Sequence, residues 1–348
     1  MIELQRSYLS AILDATTATD LHESVQNSIA LEFATIPPYL TAMMSLKTDA
    51  NREIWAILHS VAVDEMLHML INCNLLVALG GTPVVDDPAM VPSYPGPLPM
   101  AIHTGLIVGC EPFSRPLVRD TFMQIERPEV ELQFPSAVEA AGFATIGLYY
   151  EALKAKIREL GNGAFRGDGS GQLVNNDWFP PERLFAIVDV ETALRAIDLI
   201  VREGEGTTIS PEGEAGVIAH FYRFEQIVEG HLLVRDQTVP QGYSFTGAEV
   251  PFDPDGVWPI SSNQKLRELD PDSRAGGRAR QFAQGFTNLL KALHQTFNGE
   301  PGEFDTAMGL MFEMNATGET LCATDAVYAG NPTGRKAGPT FEYLSPND

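Results

Sequence analysis

The sequence predicts an all-α protein, a bundle of four core helices with long irregular loops and a helical extension at its C-terminus. Three observations carry this. Apolar residues recur every three or four positions through segment after segment, the spacing of one helical face. Proline and glycine are mostly gathered between those segments, where they mark loops. The most apolar segment, REIWAILHSVAVDEMLHMLINCNLLVALGG at 52–81, holds Glu65 and His68 three residues apart.

Taken in order, the first helix runs from Asp20, a good N-cap, to about Lys47. It carries Leu21, Val25, Ile29 and Ile36 on one face. Pro37-Pro38 removes backbone donors and is expected to kink or break it. The second runs from Asn51 to Leu79 and stops at Gly80-Gly81, a C-cap signal. A Pro- and Gly-rich insertion near 80–135 excludes a continuous helix. Insertions of that length in compact domains tend to be functional or to cover something. The third helix is placed at 136–160, with Ser136 and Glu139 as a capping box and a seam of Phe143, Ile146, Tyr150, Leu153 and Ile157. A fourth covers 181–203 and a fifth 212–232, followed by two more near 276–298 and 303–322. The tail AGNPTGRKAGPTFEYLSPND reads as extended or coiled. Residues 1–235 form the bundle in this reading, and 236–348 a loop and helical extension packed on it.

Composition bounds the partners. The chain has 348 residues, 44% of them hydrophobic, with 46 acidic against 23 basic side chains and a formal net charge of −23. That charge argues against nucleic acid and anionic membrane surfaces. Cys73, Cys110 and Cys322 are odd in number, far apart and without CxxC spacing. They fit a reducing compartment better than a disulfide framework or zinc ribbon. The N-terminal MIELQRSYLSAILDATTATD has acids and no long apolar core, so a signal peptide is not expected. His59, Asp64, Glu65, His68, Asn72 and Asn74 break the run at 54–79, so a membrane span is not expected either. A cytoplasmic protein is expected.

Glu65 and His68, at i and i+3, project from one helical face shared with Val61, Met69, Leu75 and Leu76. Burying an unpaired carboxylate is expensive, so an inward Glu requires a partner. An inward Glu-x-x-His pair is what one helix of a bundle contributes to a carboxylate-bridged di-iron or di-manganese site. Glu32, seven residues after Val25 and three after Ile29, lies on the apolar stripe of the first helix. Either it is a rim acid at the proline kink or it is a further ligand.

The motifs EFATIPPYL, DEMLHM, LYYEAL, REGEGT, HFYRFEQI and GPTFEY, in that order, resemble one ferritin-like family. It is the bacterial family related to the iminophenyl-pyruvate dimer synthases of bisindole, violacein-type pigment pathways. The resemblance runs from about residue 20 to the tail and implies a ferritin-like four-helix bundle with an oxidative role. It implies iron, as a di-iron centre, with manganese or haem iron as alternatives. It also implies a small organic substrate, an amino-acid-derived imine for instance, and dioxygen or peroxide. A homo-oligomer is a further expectation. Glu32, Glu65 and His68 match the first half of the site, and Glu151 in LYYEAL matches the lone acid of the third helix.

The second half departs from the family pattern, since the fourth helix has no Glu-x-x-His. Glu205 continues the stripe of Val190, Leu194, Ile197 and Val201, whereas Glu203 is expected to point away. His220, between Val217 and Phe224, is either a core histidine bonded to a carbonyl or the second imidazole ligand. The expected metal set is Glu32, Glu65, His68, Glu151, Glu205 and His220. The cluster of Met308, Met311 and Met314 reads as core filler. No GxGxxG, Walker or GxSxG motif supports nucleotide binding or serine hydrolysis. A ferritin-like storage protein without an organic substrate is the competing reading, disfavoured by the proline-rich loops.

Overall fold

The computed structural model describes residues 6–101, 105–128, 146–174, 177–204, 210–212 and 216–345. The most apolar sequence lies at its centre. Helices α2 (His22–Met44) and α3 (Arg52–Ala78) pack along each other, and nearly every α3 side chain from Ala62 onward is buried. α3 is long and apolar enough to cross a membrane, yet most of that length is buried inside the bundle. It ends at Gly80, whose φ of +87° lets the Gly80 and Gly81 amides turn back onto the carbonyls of Val77 and Leu76.

The expected break at Pro37-Pro38 does not occur: α2 continues through both prolines. A proline at 38 leaves the Ala34 carbonyl without its intrahelical donor. The Tyr94 phenol, brought in by the long loop, donates to that carbonyl at 2.7 Å. The Thr41 hydroxyl donates to the Pro37 carbonyl at 2.8 Å.

The other half of the bundle is assembled from shorter pieces. α4 (Arg115–Leu117), a π-helical turn over Val118–Phe122 and α5 (Met123–Ile125) follow one another directly. Ser114 starts this run, its hydroxyl accepting the Leu117 amide hydrogen at 3.1 Å. α6 (Ile146–Leu160) packs on α7 (Val190–Gly204), and α8 (His220–Glu229) packs on the π turn and on α3. The expected capping box of Ser136 and Glu139, and Phe143 of the seam, lie outside the described residues. A short α1 (Arg6–Leu13), not anticipated from the sequence, packs on α6.

The C-terminal extension is a helical hairpin of α9 (Arg274–Phe297) and α10 (Glu303–Cys322), close to the expected spans. Its approach to α2 is close at Gly318. A Cβ at Gly318 would lie 2.5 Å from Met44 Sδ. The tail is more ordered than expected. β1 (Asp325–Tyr328) and β2 (Asn331–Lys336) pair antiparallel, and Phe341 inserts edge-on between Phe282 and Phe286 of α9. The fold is a helical bundle with long irregular loops and a helical C-terminal extension.

Candidate metal centre

Three buried carboxylates and two buried imidazoles converge between the bundle halves. Glu32 comes from α2, Glu65 and His68 from α3, Glu126 from the end of α5 and His220 from the first turn of α8. Their donor atoms form two groups, Glu32 with Glu65 and His68, and Glu65 with Glu126 and His220, and in each all donors lie within 4.8 Å of one another. Glu65 belongs to both. A cavity of about 50 Å³ adjoins the cluster, its apolar wall made by Leu31, Leu98, Ile125, Ile146, Ile200 and Val201.

Both histidines have acids at either edge of the ring. His68 turns Nδ1 toward Glu32 Oε2 at 3.8 Å and Nε2 toward Glu203 Oε2 at 3.0 Å. His220 turns Nδ1 toward Glu65 at 2.8 Å and Glu126 at 3.3 Å, and Nε2 toward Asp64 Oδ2 at 3.5 Å. An outer carboxylate that takes the Nε2 proton leaves the Nδ1 lone pair for a cation. One guanidinium ties the two outer acids together, Arg183 Nη2 reaching Asp64 at 2.8 Å and Glu203 at 2.5 Å. Arg223 adds a second contact to Asp64 at 2.7 Å.

Hydroxyls fix the inner acids. Tyr150 donates to Glu32 at 2.7 Å and receives the Asn72 amide at 3.1 Å. Tyr39 donates to Glu126 at 2.5 Å. The Thr35 hydroxyl lies 3.1 Å from Glu65 Oε2 and 2.8 Å from its own helix's Glu32 carbonyl. Burial, then the neighbouring carboxylates, raises both phenols well above the usual tyrosine value, so they stay protonated donors.

Electrostatics favour a cation. Burial, and next the charge of Glu126, pushes the Glu65 carboxyl up to about 8. Burial opposes the charge on His68, but Glu203 and Glu32 more than reverse it and push it up to about 10. Burial opposes the charge on Asp64 too, yet His220, Arg223 and Arg183 hold it well below the usual range. The metal-free cluster thus keeps its charge tolerable by storing protons on Glu65 and the imidazoles. Divalent cations would replace those protons, and a set of carboxylate oxygens and imidazole nitrogens suits iron or manganese.

Of the residues expected from the sequence, Glu32, Glu65, His68 and His220 come together. Glu151 does not. Its side chain is 56% exposed and pairs with Lys154 at 2.5 Å, which also meets Asp198 of α7. Successive helical residues point about 100° apart, so an inward Tyr150 turns Glu151 outward. Glu205 lies outside the described residues. Glu203 corrects the expectation, for it points inward to His68. The buried stripe of α7 runs through Ala193, Ala196, Ile197 and Ile200. The larger residues Val190, Leu194, Ile197 and Val201 give a different phase, and Glu203 continues the buried stripe three residues after Ile200.

Glu126 was missed. The π turn re-phases the side chains after it, and such turns recur at functional sites. A signal was present, since Val118, Phe122 and Ile125 have helical spacing and Glu126 follows Phe122 by four. Where a second Glu-x-x-His would place its acid, three residues before His220, stands Val217, ahead of the first turn of α8.

A family model described as Ferritin-like matches residues 25–229. Dichlorochromopyrrolate synthase of Lentzea aerocolonigenes is 24% identical over 395 aligned positions, covering 94% of this chain and 36% of that protein. The chain therefore spans only about a third of that relative's length. The crystal structure of a ferritin-like protein from Caulobacter vibrioides matches with a TM-score of 0.60 at 23% identity, covering 93% of this chain and 97% of that one. At that identity the likeness speaks for the fold alone. With the family model spanning more than half of the chain, the protein belongs to the ferritin-like family.

Proposed function

We propose that the chain holds a di-iron centre through Glu32, Glu65, His68, Glu126 and His220 and uses it to oxidise a small organic molecule with dioxygen or peroxide. The observation that carries this reading is the shared carboxylate. Glu65 sits in both donor groups, as a bridge between two cations would. Iron bound there would activate that oxidant. A cavity of about 50 Å³ suits small ions and a small oxidant, and has no room for a haem.

The chain's own residues do the rest. Glu203 accepts the His68 Nε2 proton and so keeps Nδ1 facing the acids, while the Asp64 carboxylate, 3.5 Å from His220 Nε2, draws that edge of the ring by its charge. Tyr150 and Tyr39 orient Glu32 and Glu126 through their hydroxyl hydrogens. The wall of Ile125, Ile146, Ile200 and Val201 keeps water scarce and favours an apolar edge of the substrate. Among the described residues five side chains supply donors, one fewer than the six of a bundle with two Glu-x-x-His helices. By resemblance the substrate is an amino-acid-derived imine and the reaction its oxidative coupling. A reducing, cytoplasmic setting accords with the buried free thiols of Cys73, Cys110 and Cys322.

The test is metal analysis of protein purified from iron-rich medium, paired with oxygen uptake on a panel of aromatic amino-acid-derived imines. About two irons per chain and substrate-dependent uptake are expected. Iron that accumulates in large soluble cages, without substrate-dependent uptake, would assign the chain to storage instead.

A further inference from the structure

A second cavity of about 270 Å³ lies on a different face of the α2–α3 pair, and it shares no lining residue with the cavity at the carboxylates. Phe33, Phe286 and Phe341 line it from α2, α9 and the tail. Met69 of α3 and Met308, Met311 and Met314 of α10 line its sides. The methionines expected to be core filler therefore border open space. Its exposed lining residues are His59, Trp178 and Phe312, the last two in ring contact at 5.5 Å.

Protein interiors are close-packed, with few voids larger than a water molecule. A void of this size, walled by four helices and the tail, is a pocket and not a packing remainder. Among the described residues its lining carries no Asp, Glu, Lys or Arg, so a charged occupant would lose hydration without a counter-charge. The Trp178 indole N–H is committed to Asp305 at 3.1 Å. That leaves His59, steadied by stacking on Trp55 at 4.7 Å, as the polar handle. An apolar cavity of about 150 Å³ accepts benzene, which scales this pocket to about two fused rings. Flexible methionines let such a wall adapt to the occupant's shape.

We propose that this pocket binds an uncharged aromatic molecule of about two fused rings, with one polar group hydrogen-bonded to His59 at the mouth. The site is separate from the metal centre and does not depend on the iron reading.

Calorimetric titration of the full, metal-loaded chain with 1-naphthol and with naphthalene tests it. Saturable one-to-one binding of both is expected. Met311→Trp fills the pocket and should weaken both by about 100-fold. Phe312→Asp, at an exposed position that tolerates a charge in the fold, should weaken both by about tenfold. His59→Ala should weaken 1-naphthol about tenfold and leave naphthalene unchanged, the signature of one hydrogen bond. Metal content should be the same in all three variants. Absence of saturable binding to the wild type would overturn the proposal, as would equal binding by Met311→Trp and Phe312→Asp. If neither ligand binds and Phe312→Asp dissociates a dimer, the face belongs to a second copy and the pocket proposal falls. Should Met311→Trp fail to fold, Phe312→Asp decides.

Discussion

His68 and His220 stand ring to ring, their centroids 5.4 Å apart and their planes 21° from parallel. They come from helices far apart in sequence, yet each presents Nδ1 to the inner acids and Nε2 to an outer one. Arg183, bonded to both outer acids, couples the two rings into one assembly. The geometry makes the outer acids as consequential as the inner ones.

Glu203→Gln and Arg183→Met should therefore weaken metal binding by about 10–100-fold without removing a first ligand, the usual effect of an outer partner on a ligating histidine. Competition with a chelator of known affinity measures it. An unchanged affinity in both variants would mean that His68 is oriented by packing alone.

Glu126→Gln should lower iron content by about half or more, because it is a donor in only one of the two groups. Glu151→Gln should leave iron content unaltered, since its carboxylate meets Lys154 at the surface. Elemental analysis of the two variants side by side separates them. The reverse ranking would mean that the cluster at Glu126 is not the centre.

The metal-free protein should lose stability as pH rises from about 4.5 to about 8. Over that window the unfolded chain has released the Glu65 proton while the folded chain still holds it, so folding becomes less favourable with each unit. His68 acts in the same direction from about 6.5 to about 10, because its charged form is favoured only in the folded state. Asp64 and Glu203, whose folded values are depressed, act oppositely and cost stability only in acid. Glu65→Gln should flatten the fall and raise the metal-free melting temperature at pH 8 by about 2–6 °C. Thermal melts in chelator across pH check this, and a melting temperature lowered by the substitution would show Glu65 to be a stabilising ion-pair partner.

Tyr94→Phe should destabilise the protein by about 1–3 kcal/mol, the range for leaving a buried backbone acceptor unsatisfied. The lost bond is the one to the Ala34 carbonyl that Pro38 cannot serve. Urea unfolding, with the midpoint shifted and the slope constant, would show it. No shift would mean that the carbonyl finds another donor.

What could be read from the sequence follows the range of the interactions involved. The i, i+3 placement of Glu65 and His68, the stop at Gly80 and the α9 and α10 spans depend on periodicity and end signals, which act within a turn or two. Those features were legible, and they made the all-α bundle and the first half of the candidate centre visible. Other features were decided by residues distant in sequence. Tyr94, some 60 residues on, lets α2 pass through two prolines. Tyr150 reaches Glu32 and thereby sends Glu151 to the surface. The burial of Ala193 and Ala196, residues too small to announce a face, sets the phase that brings Glu203 to His68. The π turn before Glu126 owes its setting to packing against α8. Helical phase repeats every 3.6 residues, so an error of one position turns a side chain through about 100°, and only contacts with other elements fix that angle. The sequence alone therefore determined which segments coil and which carry acids and histidines. The tertiary structure decided which of those acids face one another.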